Sequence, residues 1–242
     1  MSGVTHVRLE LARTVRNRRL LIFSLGLPLV LFYAVASAQR HAHTDGVSFP
    51  LFFMVGMAAY GALFAAVGPG ARIAVDRARG WTRQLRITPL SVRVYFSARV
   101  LTAYVVALPS LIMLYLAGAS LGVHLSAGQY LEMTGWLVLG LAPIVVIGII
   151  LGHLLTSDSL APAVGGVVVF FALFGGAWGR FFNAGVMSTL VKLLPSYWMV
   201  EAGHDAVHGG GWPAEAWIIV AAWTVLLIPL AALVYRWDTR RV

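Results

Sequence analysis

Two short patterns in this chain hold residue types that could do chemistry. Gly118-Ala119-Ser120-Leu121-Gly122 fits Gly-x-Ser-x-Gly, the frame that presents a nucleophilic serine in hydrolases and in rhomboid-type intramembrane proteases. Such a serine needs a base within hydrogen-bond reach. His153 is the only histidine inside a long apolar run, and it sits at the opposite end of its run from Ser120. A bilayer thickness would separate them, so these small residues read as helix-packing positions. His204-Asp205-Ala206-Val207-His208 places two histidines at i and i+4, as a helical zinc site would, with Glu201 available as a third ligand. The usual protease motif has Glu in second place, where this chain has Asp205. The reading is an exposed polar helix face that binds no metal. His41 and His43 read as solvated loop residues. A membrane-embedded hydrolase using Ser120, or a metal site at His204/His208, is the alternative against which the rest is weighed.

Other chemistries are missing. The chain has no cysteine, which removes disulfides, thiolate catalysis and Cys-based zinc or iron–sulfur sites. It has no Gly-x-x-x-x-Gly-Lys-Ser/Thr loop, so it cannot cradle ATP phosphates by that route. No Lys, Arg, Asp or Glu lies deep in an apolar run, and Glu132 sits at an edge. Proton relays and ion paths usually need such groups, so a lone ion pump or proton-coupled carrier is disfavoured.

The elements that would position these residues are set by hydropathy. Of 242 residues 60% are hydrophobic and only 11% charged, against about 25% charged in soluble domains. A hydrocarbon core about 30 Å thick takes about 20 apolar residues as a helix. Six runs fit: Leu20–Ala38, Phe49–Gly70, Val100–Leu121, Leu131–Leu155, Leu160–Trp178 and Ala216–Tyr235. Backbone hydrogen bonding in lipid forces each of them to be helical. The expected fold is therefore an all-α integral membrane protein, one transmembrane domain over residues 1–242.

The net charge of +9 would suggest nucleic acid in a soluble protein, but here it marks topology. Arg8, Arg13, Arg16, Arg18 and Arg19 precede the first run. Arg72, Arg77, Arg79, Arg83, Arg86, Arg93 and Arg99 lie at or between the second and third. Arg236, Arg240 and Arg241 follow the last. Only Arg40, Arg180 and Lys192 fall on the other side. Positive-inside bias puts both termini in the cytoplasm, as an even number of spans requires. Arg18-Arg19, the first run and Ala36-Ser37-Ala38 loosely fit a cleavable signal. The leader is long for one, and the expectation is an uncleaved first span.

Two segments are neither spans nor plain loops. Residues 1–19 place Val4, Val7, Leu11 and Val15 at helical spacing among arginines, which reads as an interfacial helix. Between the second and third runs, Val75, Ala78, Trp81 or Thr82, and Leu85 can share one helical face before Pro89 ends the helix. The product is a short amphipathic helix against the membrane surface. Gly148 and Gly152, and Gly61 with Ala65, permit close helix approach, to a neighbour in the same chain or in a second copy. Pro28, Pro109, Pro143, Pro162 and Pro229 lie in or near the runs and read as static kinks.

The stretch Asp76-Arg77-Ala78-Arg79-Gly80-Trp81-Thr82-Arg83-Gln84-Leu85-Arg86-Ile87-Thr88-Pro89-Leu90 resembles the coupling-helix region of ABC type-2 exporter permeases. That pattern reads Glu-Arg-Glu-x-Gly-Thr-Leu-Glu-Gln-Leu-x-x-Thr-Pro-Leu. It is met at Arg77, Gly80, Gln84, Leu85, Thr88, Pro89 and Leu90, and departed from at Ala78, Trp81, Thr82 and Arg83. Leu194-Pro195-Ser196-Tyr197-Trp198 is similar to the Leu-Pro-x-x-Trp segment before the family's last span. The resemblance implies short re-entrant or external helices over about residues 179–211.

It also implies a function. Two permease chains, identical or related, would form a path across a bacterial inner membrane. Two separate ATPase subunits would hold ATP and Mg, with no cofactor in this chain and no nucleic-acid partner. The residues expected to meet the ATPase are Arg77, Arg79, Gly80, Trp81, Thr82, Arg83, Gln84 and Arg86. In the family, spans one, two and five line the path, which here carries Phe23, Phe32, Tyr33, Phe52, Phe53, Tyr60, Phe170, Phe171 and Phe174. A charge-free aromatic path suits an amphipathic or lipid-like solute such as a drug or antibiotic, as in multidrug efflux.

Overall fold

The computed structural model describes residues 12, 14, 16–44, 46–78, 92–182, 184–208 and 210–240, without the side chains at 19, 71, 92, 93, 208, 239 and 240. The expected interfacial helix over 1–19 and most of the expected coupling helix, Arg79 through Leu90, lie outside the described residues. Within them the regular structure is helical, apart from one hairpin of two-residue strands, β1 (His43–Thr44) with β2 (Val47–Ser48).

The first apolar run is α1 (Arg18–Leu21), a π-turn (Ile22–Gly26) and α2 (Leu27–Ala36). Pro28 explains the turn. It has no N–H to offer the Ser24 carbonyl four residues back, and its ring crowds a regular turn there. Ser110 from a neighbouring helix donates to that carbonyl instead. The Ser24 hydroxyl is satisfied by the Leu20 carbonyl at 2.8 Å. Both serines are fully buried. They can meet because Gly61 lies opposite: a Cβ built there would stand 2.3 Å from Ser110 Oγ and 2.6 Å from the Ser24 oxygen.

The long helices follow: α3 (Phe49–Ala78), α4 (Val92–Ser120), α5 (Ala127–Leu154), α6 (Ser157–Phe174) and α9 (Ala214–Arg240), with short α7 (Gly185–Lys192) and α8 (Pro195–His208) before the last. These five long helices are extended and apolar enough to cross a membrane. The π-turned first run is shorter, with Ile22–Ala36 as its apolar helical part. Several spans outrun their sequence-based bounds. The second continues past Gly70 through Pro69 to Ala78, and the third starts at Val92 rather than Val100. Charged helix ends reach beyond the hydrocarbon, where hydropathy cannot see them. The fifth stops early, at Phe174, because Gly176 takes a positive φ of 81°.

Helix α3 is the hub. Residues 50–70 are buried without a break, and α2, α4, α5, α6 and α8 pack around it. A helix apolar on every side belongs in such a position. Helix α9 is the opposite case: Val225, Leu226, Ile228 and Leu233 are exposed, as lipid-facing residues would be. The small residues expected to pack do so inside this chain. Gly152 and Gly148 of α5 lie on the backbone of α3 at Gly70 and Val67. The helices alternate in direction. The ends of α3, α5 and α9 meet at one face of the bundle, while α7 and α8 sit at the other.

Candidate functional site

The charged end of the bundle is built from five ionisable residues at or near the ends of the apolar runs. Asp76 and Arg77 stand in the last turn of α3, just before residues 79–91, and bind in different directions. Asp76 Oδ2 meets Arg99 Nη2 of α4 at 2.8 Å. The Arg99 side chain is 2% exposed. It also reaches the Pro69 carbonyl at 3.4 Å and lies 5.3 Å from the centroid of the Tyr95 ring.

Arg77 turns the other way. Its Nη1 donates to the carbonyl oxygens of His153 at 2.6 Å, Leu155 at 3.3 Å and Gly152 at 3.4 Å. These are orphan carbonyls at the C-terminus of α5, where a cation also opposes the helix dipole. Its Nη2 meets Asp238 Oδ1 of α9 at 2.8 Å. The other Asp238 oxygen is 2.8 Å from His153 Nδ1. The His153 ring sits among Tyr95, Phe96 and Tyr235. Thus α3, α4, α5 and α9 are tied together at the root of the segment 79–91.

Of the expected ATPase contacts, only Arg77 lies among the described residues. Its guanidinium is directed inward, onto α5 and α9. Arg79, Gly80, Trp81, Thr82, Arg83, Gln84 and Arg86 lie outside them.

The aromatic residues of the expected path divide. Phe32, Phe52, Phe53, Tyr60 and Phe171 are buried in the core, whereas Phe23, Tyr33 and Phe170 are exposed on the flank. Phe32 stacks with Phe53 at 6.5 Å, and Tyr60 lies 5.4 Å from both Phe64 and Trp178. Phe174 stacks with Phe182 at 4.9 Å, at the end of the bundle away from the charges.

Among the described residues neither alternative chemistry gathers its parts. Ser120 Oγ donates to the Ala117 carbonyl at 2.6 Å and lies 2.9 Å from Tyr33 Oη, a phenol that is no base for it. His204 corrects its expectation. It is not on an exposed polar face: it is 9% exposed, stacked flat on Phe52 at 4.5 Å, with Nε2 3.2 Å from the Phe52 carbonyl. The His208 side chain is outside the described set. Among the described residues no three His, Asp or Glu side chains gather as a metal site would need.

The cause of His204's burial was partly visible in sequence. Gly203 and Ala206 are small, and α8 lies close on α3 through them. A Cβ on Gly203 would stand 2.5 Å from a Val55 methyl. The Asp76–Arg99 and Arg77–Asp238 pairs were missed, because charges at helix ends look the same whether they signal topology or pair with one another.

No family model matches the chain. It is 24% identical over 230 residues to "Putative transport permease YvfS" of Bacillus subtilis (strain 168), an alignment that covers 94% of each protein. The chain is a multi-pass helical membrane protein that resembles a transport permease over nearly its whole length.

Proposed function

We propose that this chain is the membrane-spanning subunit of an ATP-binding-cassette exporter, working as a pair of permease chains on two separate ATPase subunits. Its termini and residues 79–91 face the cytoplasm of a bacterial cell. The solute is amphipathic or lipid-like. End-to-end similarity to a transport permease supports the transporter part of this reading. The observation that carries the coupling part is the root of the segment 79–91. Asp76 and Arg77, which open the coupling motif, are each ion-paired to a different helix. A push delivered at the end of α3 is therefore handed to α4, α5 and α9 together. ATP binding in a partner can only drive transport if it favours one of two helix arrangements, and a rigid root allows that.

The test is co-purification with an ATP-binding-cassette ATPase co-expressed from the permease's own gene neighbourhood. The wild-type chain should retain the ATPase, and amphipathic solutes should raise its turnover. Reversing Arg79, Arg83 and Arg86 together to Glu should abolish retention while the permease stays folded and monodisperse. A wild-type complex that holds no nucleotide-hydrolysing protein, or a triple variant that holds it as well as wild type, would defeat the proposal. Tyr60→Ala and Phe174→Ala should each lower solute-stimulated turnover with the complex intact. Unchanged stimulation would take those rings out of the path.

A further inference from the structure

At the end of the bundle away from the charged network, two cavities lie back to back. The first, of 260 Å³, is formed by the turn after α6 together with α7 and α8. The second, of 240 Å³, lies between the start of α3 and α8. Each is small for a ligand pocket, but together they hold about 500 Å³, inside the ~300–1,000 Å³ of small-molecule sites. Arg180 and Glu201 line both cavities, and their ion pair, 2.6 Å long, stands between them. The pair is 37% and 21% exposed. An ion pair so open to solvent is a weak tie that a charged ligand can replace.

The walls differ in a useful way. The first cavity adds Lys192 to the shared pair, and the second adds Asp205. The first cavity is thus lined by two cations and one carboxylate, the second by one cation and two carboxylates. Each also has a flat apolar wall, Phe174 on Phe182 in the first and Phe52 on His204 in the second. Tyr197 lines the first cavity. Burial, then the nearby Glu201, raises its pKa, so it stays a neutral phenol able to donate a hydrogen bond.

We propose that these cavities are two halves of one binding site for a small zwitterionic amphiphile, divided in the empty protein by the Arg180–Glu201 pair. The ligand's anionic group takes Arg180 and Lys192, its cationic group takes Glu201 and Asp205, and its apolar part lies on the aromatic walls. The site narrows the amphipathic solute of the transport reading, on which it rests, to one carrying both charges.

The chain lacks cysteine, so single cysteines report cleanly. Ser188→Cys marks the first cavity and Val207→Cys the second. Each variant, in bilayer nanodiscs without ATPase, is modified with a charged methanethiosulfonate. The competitors are a short-chain alkyl sulfobetaine, and the alkyl sulfonate and alkyltrimethylammonium of equal chain length, all below micelle-forming concentrations. The sulfobetaine should protect both cysteines at concentrations about tenfold lower than either singly charged probe, a difference worth one good charged contact.

Lys192→Gln and Asp205→Asn should each erase that advantage while leaving the thermal midpoint in place. Equal protection by all three probes, protection of one cysteine without the other, or an advantage that survives both substitutions would overturn the proposal. The assay needs no ATPase. A negative result beside intact ATPase coupling removes this site and leaves the transporter reading standing.

Discussion

Replacing Asp238 by Ala should destabilise the folded protein by about 2–4 kcal/mol, because it strands two partners at once, the buried His153 and the half-buried Arg77. Asp238 has both oxygens engaged, one with Arg77 and one with His153. Its side chain is 7% exposed and that of Arg77 28%, so the guanidinium keeps some water and the loss falls short of a fully buried pair. The attraction itself is not the main quantity. Removing one ion leaves the other desolvated and unpaired, and that penalty dominates.

A second variant separates the two contributions. Arg77→Met combined with Asp238→Leu removes both ions and keeps bulk, and should recover much of the loss. The three α5 carbonyls would still lack their cap, so recovery should be incomplete. The measurement is thermal or denaturant unfolding in a fixed detergent. A single variant as stable as wild type would show that α9 is not held by this contact. A double variant no better than the single would show that the α5 cap, not the ion pair, carries the energy.

This network shows where sequence reading stopped. The apolar runs were legible because lipid allows only one solution for an unpaired backbone; five of them are helices long enough to span, with ends that differ from the hydropathic bounds, and the first is shorter and broken by a π-turn. The π-turn had its cause in plain sight at Pro28, yet its consequence, a carbonyl freed for Ser110, depends on which helix crosses there. The ends were harder. Arg77, Arg99 and Asp238 flank spans, and a flanking charge satisfies the topology rule whatever its side chain touches. His204 and His208 looked like a solvated helix face because polarity was read along one helix alone. Gly203 and Ala206 draw that helix onto α3, and His204 goes inside with them.

The contact between α3 and α5 makes the most severe expectation. At Gly152 an added Cβ would stand 2.0 Å from the Gly70 carbonyl oxygen, and at Gly70 it would stand 1.9 Å from the Gly148 oxygen. Both obstacles are backbone, so no side-chain rotation relieves them. Either helix must move by more than an ångström, or the pair must part. Overpacking a core costs about 1–3 kcal/mol when neighbours can shift, and more when they cannot. Gly152→Ala and Gly70→Ala should each exceed that range, and the larger Gly152→Val should yield little folded protein.

The same substitution elsewhere supplies the control. Gly135 in α5 and Gly165 and Gly166 in α6 have nothing within 4 Å of an added Cβ. Alanine there should be neutral or stabilising by about 0.5–1 kcal/mol, because a mid-helix glycine costs roughly that in chain entropy. Unfolding midpoints of the five alanine variants in one detergent decide the matter. If Gly152→Ala behaves like Gly165→Ala, the two helices are not in backbone contact. The Arg77 cap on α5, which depends on the same close approach, would then lose its geometric basis as well.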